Sequence, residues 1–263
     1  MATKLESIST SWRLKQGKHL IPNMVELQMM DVPVWNDDFM GRALIGGEAI
    51  EGDATLISLY QSTASGANSV AAAIAAGTVG GKLRLDPGDA NSGRSDLSLG
   101  RHFRGDLNAH AWARITTPAA IGSWKFEWGL TDVVSGTDAG AVATKATPTF
   151  NADDAVVLVY DTNDDANLTL VGVKATTADT AIDFATALAA ATDYYLGIEL
   201  RDDQARGYLL NADGKLLETT AWMDDAVTST VLLTPWAFTQ NRSGAQRLLD
   251  IDMIRVYQRR TTA

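Results

Sequence analysis

Leu248-Leu249-Asp250-Ile251-Asp252-Met253-Ile254-Arg255-Val256-Tyr257-Gln258-Arg259-Arg260 is the stretch that decides the fold. Leu249, Ile251 and Met253 alternate with Asp250 and Asp252. After Met253-Ile254 the apolar phase slips by one residue, and Ile254, Val256 and Gln258 then alternate with Arg255, Tyr257 and Arg259. Alternation with a period of two is the pattern of a strand with one buried face. A one-residue slip in that pattern is what a β-bulge produces. A strand formed this late in the chain has to pair with strands already made, so a sheet whose ends meet is expected.

Composition sets the limits within which that strand works. The 263 residues suit one large all-β domain or two small ones. With 46% hydrophobic and 21% charged residues the chain has enough apolar material for a packed core, which argues against global disorder. No apolar run reaches the length of a membrane-spanning helix, so no membrane partner is expected. The start, Met1-Ala2-Thr3-Lys4-Leu5-Glu6, lacks the apolar core of a signal peptide. Cysteine is absent, which removes disulfides and thiolate metal sites.

The net charge of −10 is unevenly spread. Residues 1–34 hold four basic and three acidic groups, and 255–263 hold three basic groups, so the body between them is strongly acidic. An acidic body repels nucleic acid. Weakly basic ends on such a body fit tails that dock on acidic neighbours, and fit ordinary charge scatter equally.

Residues 1–34 differ in character from the body. Lys15-Gln16-Gly17-Lys18-His19 reads as a hydrophilic turn, and the segment from Leu20 to Met30 is apolar but contains Pro22 and has no sustained period. That mixture reads as an arm lying on its own domain or on a neighbouring subunit, and the body starts at Trp35. Strand-like runs then recur between Gly, Asp, Asn and Pro turns: 53–60, 81–85, 95–99, 109–116, 124–131, 154–160, 168–173, 194–200, 205–210 and 231–239. Asn211-Ala212-Asp213-Gly214-Lys215 contains the Asp-Gly pair of a tight hairpin. Residues 181–191, with Ile182, Phe184 and Leu188 on one helical face, are expected to form a short helix or helical turn, and the alanine-rich 69–76 is ambiguous. A dozen or so short strands indicate an all-β sandwich or jelly roll.

The order of elements from Asp38-Phe39 to Arg260 resembles the concanavalin A-like, laminin G-like jelly roll. The residues behind the resemblance are the opening Asp37-Asp38-Phe39, the aromatic strand Lys125-Phe126-Glu127-Trp128-Gly129-Leu130-Thr131-Asp132, the hairpin around Asn211-Ala212-Asp213-Gly214-Lys215, and the closing Ile251-Asp252-Met253-Ile254-Arg255-Val256-Tyr257-Gln258. It spans roughly 225 of the 263 residues. With an irregular N-terminal arm, such a domain is similar to structural proteins of tailed-bacteriophage virions. That similarity implies a non-enzymatic subunit located in the virion, decorating or cementing the capsid. Its partners would be the major capsid protein and further copies of itself, and a closed oligomer such as a trimer suits that role. The arm would attach through Leu20, Ile21, Met24, Val25, Leu27, Met29 and Met30.

The remaining residues offer competing chemistry. Laminarinase-like glycosidases of the resembled family carry Glu-x-Asp-x-x-Glu on one strand, where alternate carboxylates enter one cleft. That pattern occurs nowhere in this chain, and Asp250 and Asp252 read as a solvated strand face. The only histidines are His19, His102 and His110, too few and too scattered for a triad or a zinc site. Asp161, Asn163, Asp164 and Asp165 cluster in one loop and are the leading candidate for Ca2+, without the spacing of an EF-hand. The seven tryptophans allow carbohydrate binding, with Trp222 beside Met223-Asp224-Asp225 the candidate glycan contact. Trp124 and Trp128 are placed on one strand face and Phe126 on the other. A glycan-binding tail or fibre module and an unusual glycoside hydrolase are therefore the alternatives to the decoration protein.

Overall fold

The computed structural model describes residues 34–37, 60–75, 81–133 and 140–259. The anchoring residues expected at 20–30, His19, and the run 53–59 lie outside the described residues. In chain order the first strands are β1 (Val34–Asp37), β2 (Ala64–Ser65), β3 (Val70–Ile74), β4 (Leu83–Asp86), β5 (Arg94–Ser98), β6 (His110–Thr116), β7 (Trp124–Thr131), β8 (Val142–Thr144) and β9 (Thr149–Phe150). They are followed by β10 (Ala155–Asp161), β11 (Asp165–Lys174), β12 (Thr177–Ala178), β13 (Ile182–Asp183), β14 (Asp193–Arg201), β15 (Gln204–Asn211), β16 (Leu216–Thr219), β17 (Thr234–Asn241) and β18 (Leu249–Tyr257).

Two antiparallel sheets result. The closing sheet runs β16-β15-β14-β6-β18-β4-β3, with β1 also on β18; the facing sheet runs β12-β11-β10-β7-β17-β5-β2, with β13 on β11. β8 and β9 form a separate hairpin. The expected meeting of the sheet's ends is not found among the described residues: β16 and β3 are its edges, and the last strand takes an interior place because strands on both sides cover its backbone groups. β18 pairs along its length with β6, and on its other side meets β4 at 249–251 and β1 at 254–257. Its register against β6 shifts between Ile251 and Met253, leaving Asp252 as the extra residue of a bulge. The slip in sequence phase is thus a slip in pairing.

Residues 181–191 do not form a helix: Ile182–Asp183 pairs with β11, and Phe184 donates its backbone N–H to Leu168. The apolar spacing there serves burial of Phe184 and Leu188 in the core, not a helical face. The alanine-rich stretch resolves as strand β3. Trp124, Phe126 and Trp128 all point to the same side, into the core between the sheets, because positions two apart on a strand share a face. Opposing sheet residues on and beside β6 are small, Ala109, Ala111 and Ala113, which leaves volume for the indoles.

Each sheet also buries residues on the side turned away from that core. Over the facing sheet, segment 140–152 packs on Val157, Val159, Val171, Val173, Trp236 and Phe238. On the closing sheet, Trp112, Tyr208, Leu210 and Tyr257 form a smaller cluster, with the Trp112 ring occupying the space that a Cβ on Gly197 would need. The two outer faces are where polar chemistry gathers.

Candidate functional site

On the outer side of β7, Lys125 and Glu127 are both fully buried and 2.9 Å apart. Alternation puts charged residues opposite the core, and segment 140–152 then covers them. The Glu127 carboxylate accepts from the backbone N–H of Ala141 (2.8 Å) and Val142 (3.2 Å) and from the indole N–H of Trp236 (2.8 Å). Lys125 donates to the Val142 carbonyl and lies 5.3 Å from the Phe238 ring centre. Gly140, at φ +97°, comes so close that a Cβ there would overlap the carboxylate. Every oxygen of Glu127 is engaged by a donor of the same chain, so this is a clasp and not an open site.

The outer face of the closing sheet carries a ladder of ion pairs. Arg84 holds Asp250 through two contacts of 2.7 and 2.8 Å, and Arg114 bridges Asp252 (2.6 Å) and Asp193 (2.9 Å). Burial pushes the Asp193 carboxyl up, but the Thr116 hydroxyl together with Lys82 and Arg114 outweighs it and holds the group below its ordinary value. Asp250 and Asp252, read from sequence as a solvated face, are thus paired across strands. His110 stacks on Tyr257 at 4.6 Å and is packed; His102 is exposed.

The third constellation lies at the end of the hairpin β14–β15. Ala205 and Met223 exchange backbone hydrogen bonds of 2.9 and 2.8 Å, which fixes the Met223 side chain in the core. Alternation then puts Trp222 on the outer side, where it is half-buried. Among the described side chains the other tryptophans, at 112, 124, 128 and 236, are at most 1% exposed. The guanidinium carbons of Arg201 and Arg206 stand 5.1 and 4.7 Å from the Trp222 ring. Around them, Lys174 binds Asp203 (2.9 Å) and Asp225 (2.6 Å), and Gln204 donates to Asp224. Two groups of this rim shift accordingly: Asp225 and Asp203 raise the Lys174 amine, and Lys174 lowers Asp203. Neither Arg201 nor Arg206 stands out in the sequence, although the two-residue turn at Asp202-Asp203 places them diagonally across the strand pair.

The calcium candidates are brought together but are already occupied by the chain itself. Asp161 is buried and held by both ends of the Arg242 guanidinium. Asp164 accepts from the backbone of Lys145 and Ala146 at 2.9 Å each, and Asp165 is engaged by the Lys145 amine and the Asn167 N–H. Asn163 contributes its own N–H to Asp161. Carboxylates committed to a guanidinium, an amine and backbone N–H groups do not converge on a shared cation, so this arrangement does not fit Ca2+. Among the described residues no group of three or more His, Asp or Glu is placed to hold a metal ion. The one Glu-x-Asp pair of the chain, Glu51-Gly52-Asp53, lies outside the described residues and has Leu56 where a second glutamate would stand.

No protein-family profile matches the chain, and no curated protein matches it in sequence. Solved structures do match in three dimensions. A protein of unknown function from Shewanella oneidensis MR-1 superposes with a TM-score of 0.60 at 14% identity, over 92% of this chain and 97% of that one. Peanut lectin with a nine-residue peptide gives 0.57 at 10% identity, over 88% and 99%. The exoplasmic/lumenal domain of VIP36 in a Ca2+/Man-bound form gives 0.52 at 10% identity, over 78% and 85%. At such identities the likeness concerns architecture: the chain has an all-β, concanavalin A-like jelly-roll fold of the legume-lectin type.

Proposed function

We propose that this chain is a non-catalytic binding module of lectin type that takes a glycan against Trp222. The observation behind this reading is that, among the described side chains, Trp222 is the one tryptophan that is not fully buried, and the guanidiniums of Arg201 and Arg206 stand against its ring while Gln204 and Asp224, joined by a hydrogen bond, flank it in sequence and register. A sugar has an apolar C–H face that lies on an aromatic ring and hydroxyls that need planar donors and acceptors around it. The fold neighbours support it: one of them is a lectin and another is a domain named in its Ca2+/Man-bound form. Hydrolysis is disfavoured by the state of the carboxylates. Glu127 is sealed, and Asp250 and Asp252 are tied to Arg84 and Arg114, so none is poised to protonate or attack a glycosidic bond. A glycan array tests the reading. Binding is expected to fall by about tenfold or more in Trp222→Ala with thermal unfolding little changed; no glycan bound by the unaltered protein overturns it.

A second reading, a virion decoration or cementing subunit attached by its N-terminal arm, is favoured by one feature. β1, which opens with Val34, the last residue of the 1–34 arm, lies beside β18 with Asn36 opposite Arg255 near the basic end of the closing strand. Deleting residues 1–34 would then leave the thermal unfolding of the jelly roll in place and abolish attachment to the major capsid protein. Attachment that survives the deletion rejects this reading.

A further inference from the structure

We propose that the glycan bound at Trp222 is an acidic one, whose carboxylate or sulfate is held by Arg201 and Arg206. The inference rests on the reading of Trp222 as the glycan site and names the class of sugar. Other guanidiniums among the described residues are held by carboxylates: Arg84 holds Asp250, Arg114 holds Asp193 and Asp252, and Arg242 holds Asp161. Among the described residues Arg201 and Arg206 form neither an ion pair nor a side-chain hydrogen bond, although both stand against one indole.

The Nε–H of Arg206 is buried and has no acceptor among the described residues. A buried donor left without an acceptor is costly, and a ligand oxygen would remove that cost. The neighbouring carboxylates do not fill the gap. Asp203 and Asp225 face Lys174, Asp224 faces Gln204, and Glu199, opposite Arg206 in register, accepts from the Tyr208 hydroxyl. Among the described residues of this rim only Asp202 of the intervening turn, at φ +57°, adds an unengaged negative charge.

Guanidinium is suited to this task for geometric reasons. It is planar, permanently charged, and offers parallel N–H pairs that match the two oxygens of a carboxylate or sulfate. Standing against one indole limits the planes that both guanidiniums can take. A neutral sugar would satisfy Trp222 but leave both forks empty. The chain's net charge of −10 disfavours a long polyanion, so the ligand presents its charge on a single sugar unit.

The test is an NMR titration of the whole chain with four disaccharides. They are an aldobiouronic acid bearing one glucuronic acid, its carboxyl methyl ester, lactose, and lactose 6-sulfate, with free acetate and inorganic sulfate as separate arms. The acid or the sulfate ester is expected to bind about tenfold or more tighter than its uncharged counterpart. That preference should vanish in R201Q/R206Q, and all binding should vanish in W222A. Equal affinity for charged and uncharged sugars, still lost in W222A, overturns the acidic class and leaves the glycan site standing. Free acetate or sulfate binding as tightly as the sugars makes this a small-anion site and overturns the proposal. No binding of any disaccharide, with an empty glycan array, removes both readings.

Discussion

The two outer faces of the sandwich use the same ingredients to opposite ends. Over the facing sheet a cation, a carboxylate, an indole and a phenyl ring (Lys125, Glu127, Trp236 and Phe238) satisfy one another completely beneath segment 140–152. At the end of the closing sheet an indole and two guanidiniums meet with no acceptor between them among the described residues. Residue type alone does not separate scaffold from site. What separates them is whether each hydrogen-bonding group finds its partner inside the chain. A satisfied constellation holds the fold together, whereas an unsatisfied one has binding capacity to spare.

The sharpest way to break this contrast is to attack the clasp. Glu127→Leu strips the acceptor from two backbone N–H groups, an indole N–H and a buried amine, and should cost about 3–5 kcal/mol in urea unfolding. Lys125→Met leaves Glu127 its three N–H donors and should cost clearly less. If the lysine variant proves as damaging as the glutamate one, the clasp is not organised around the carboxylate. On the other sheet, Gly197→Ala drives a methyl group into the Trp112 ring and should cost about 1–3 kcal/mol by the same measurement. A neutral result would mean that the aromatic cluster there is loosely packed and more open than the Trp222 patch.

The smallest effect concerns the ion-pair ladder. The Asp193 carboxyl titrates below its unfolded value, so its contribution is present above about pH 4 and is lost as the pH falls through the folded value. Asp193→Asn should therefore lower stability near neutrality and flatten the loss seen on acidification. An unchanged acid slope in that variant would show that Arg114 and Lys82 find equal partners without it.

Much of the architecture was legible from residues. The strand at 124–131, the Asp-Gly hairpin after β15 and the bulge in β18 all appear where alternation and turn chemistry put them. The Asp-Gly turn is readable because it is local: Asn211 accepts from the N–H of Asp213 and Lys215 through its side chain. The helix expected at 181–191 failed for the complementary reason. Its apolar spacing met two periods at once, and pairing of Ile182–Asp183 with β11 decided between them.

Trp222 was legible as a candidate, since it stands beside acidic residues with no apolar partner at strand spacing. Arg201 and Arg206 were not, because nothing in sequence says which arginines will lack a carboxylate. The calcium candidates show the same gap. Asp161 to Asp165 read as a cation-binding loop until Arg242 and Lys145, distant in sequence, are seen to occupy it.

By itself the sequence determined the all-β class, most of the strand set and a bulged last strand, since a period of two follows directly from one face being buried; that this strand lies inside an open sheet was decided by the tertiary structure. Only the tertiary structure decided what the charged positions on those strands do. Glu127 and Trp236 lie 109 residues apart, and their contact converts what alternation alone would leave as a solvated face into a sealed one. Burial by remote segments, and the partners that come with it, is not a local property, and so the difference between a satisfied clasp and an unsatisfied cluster emerges only when the chain is folded.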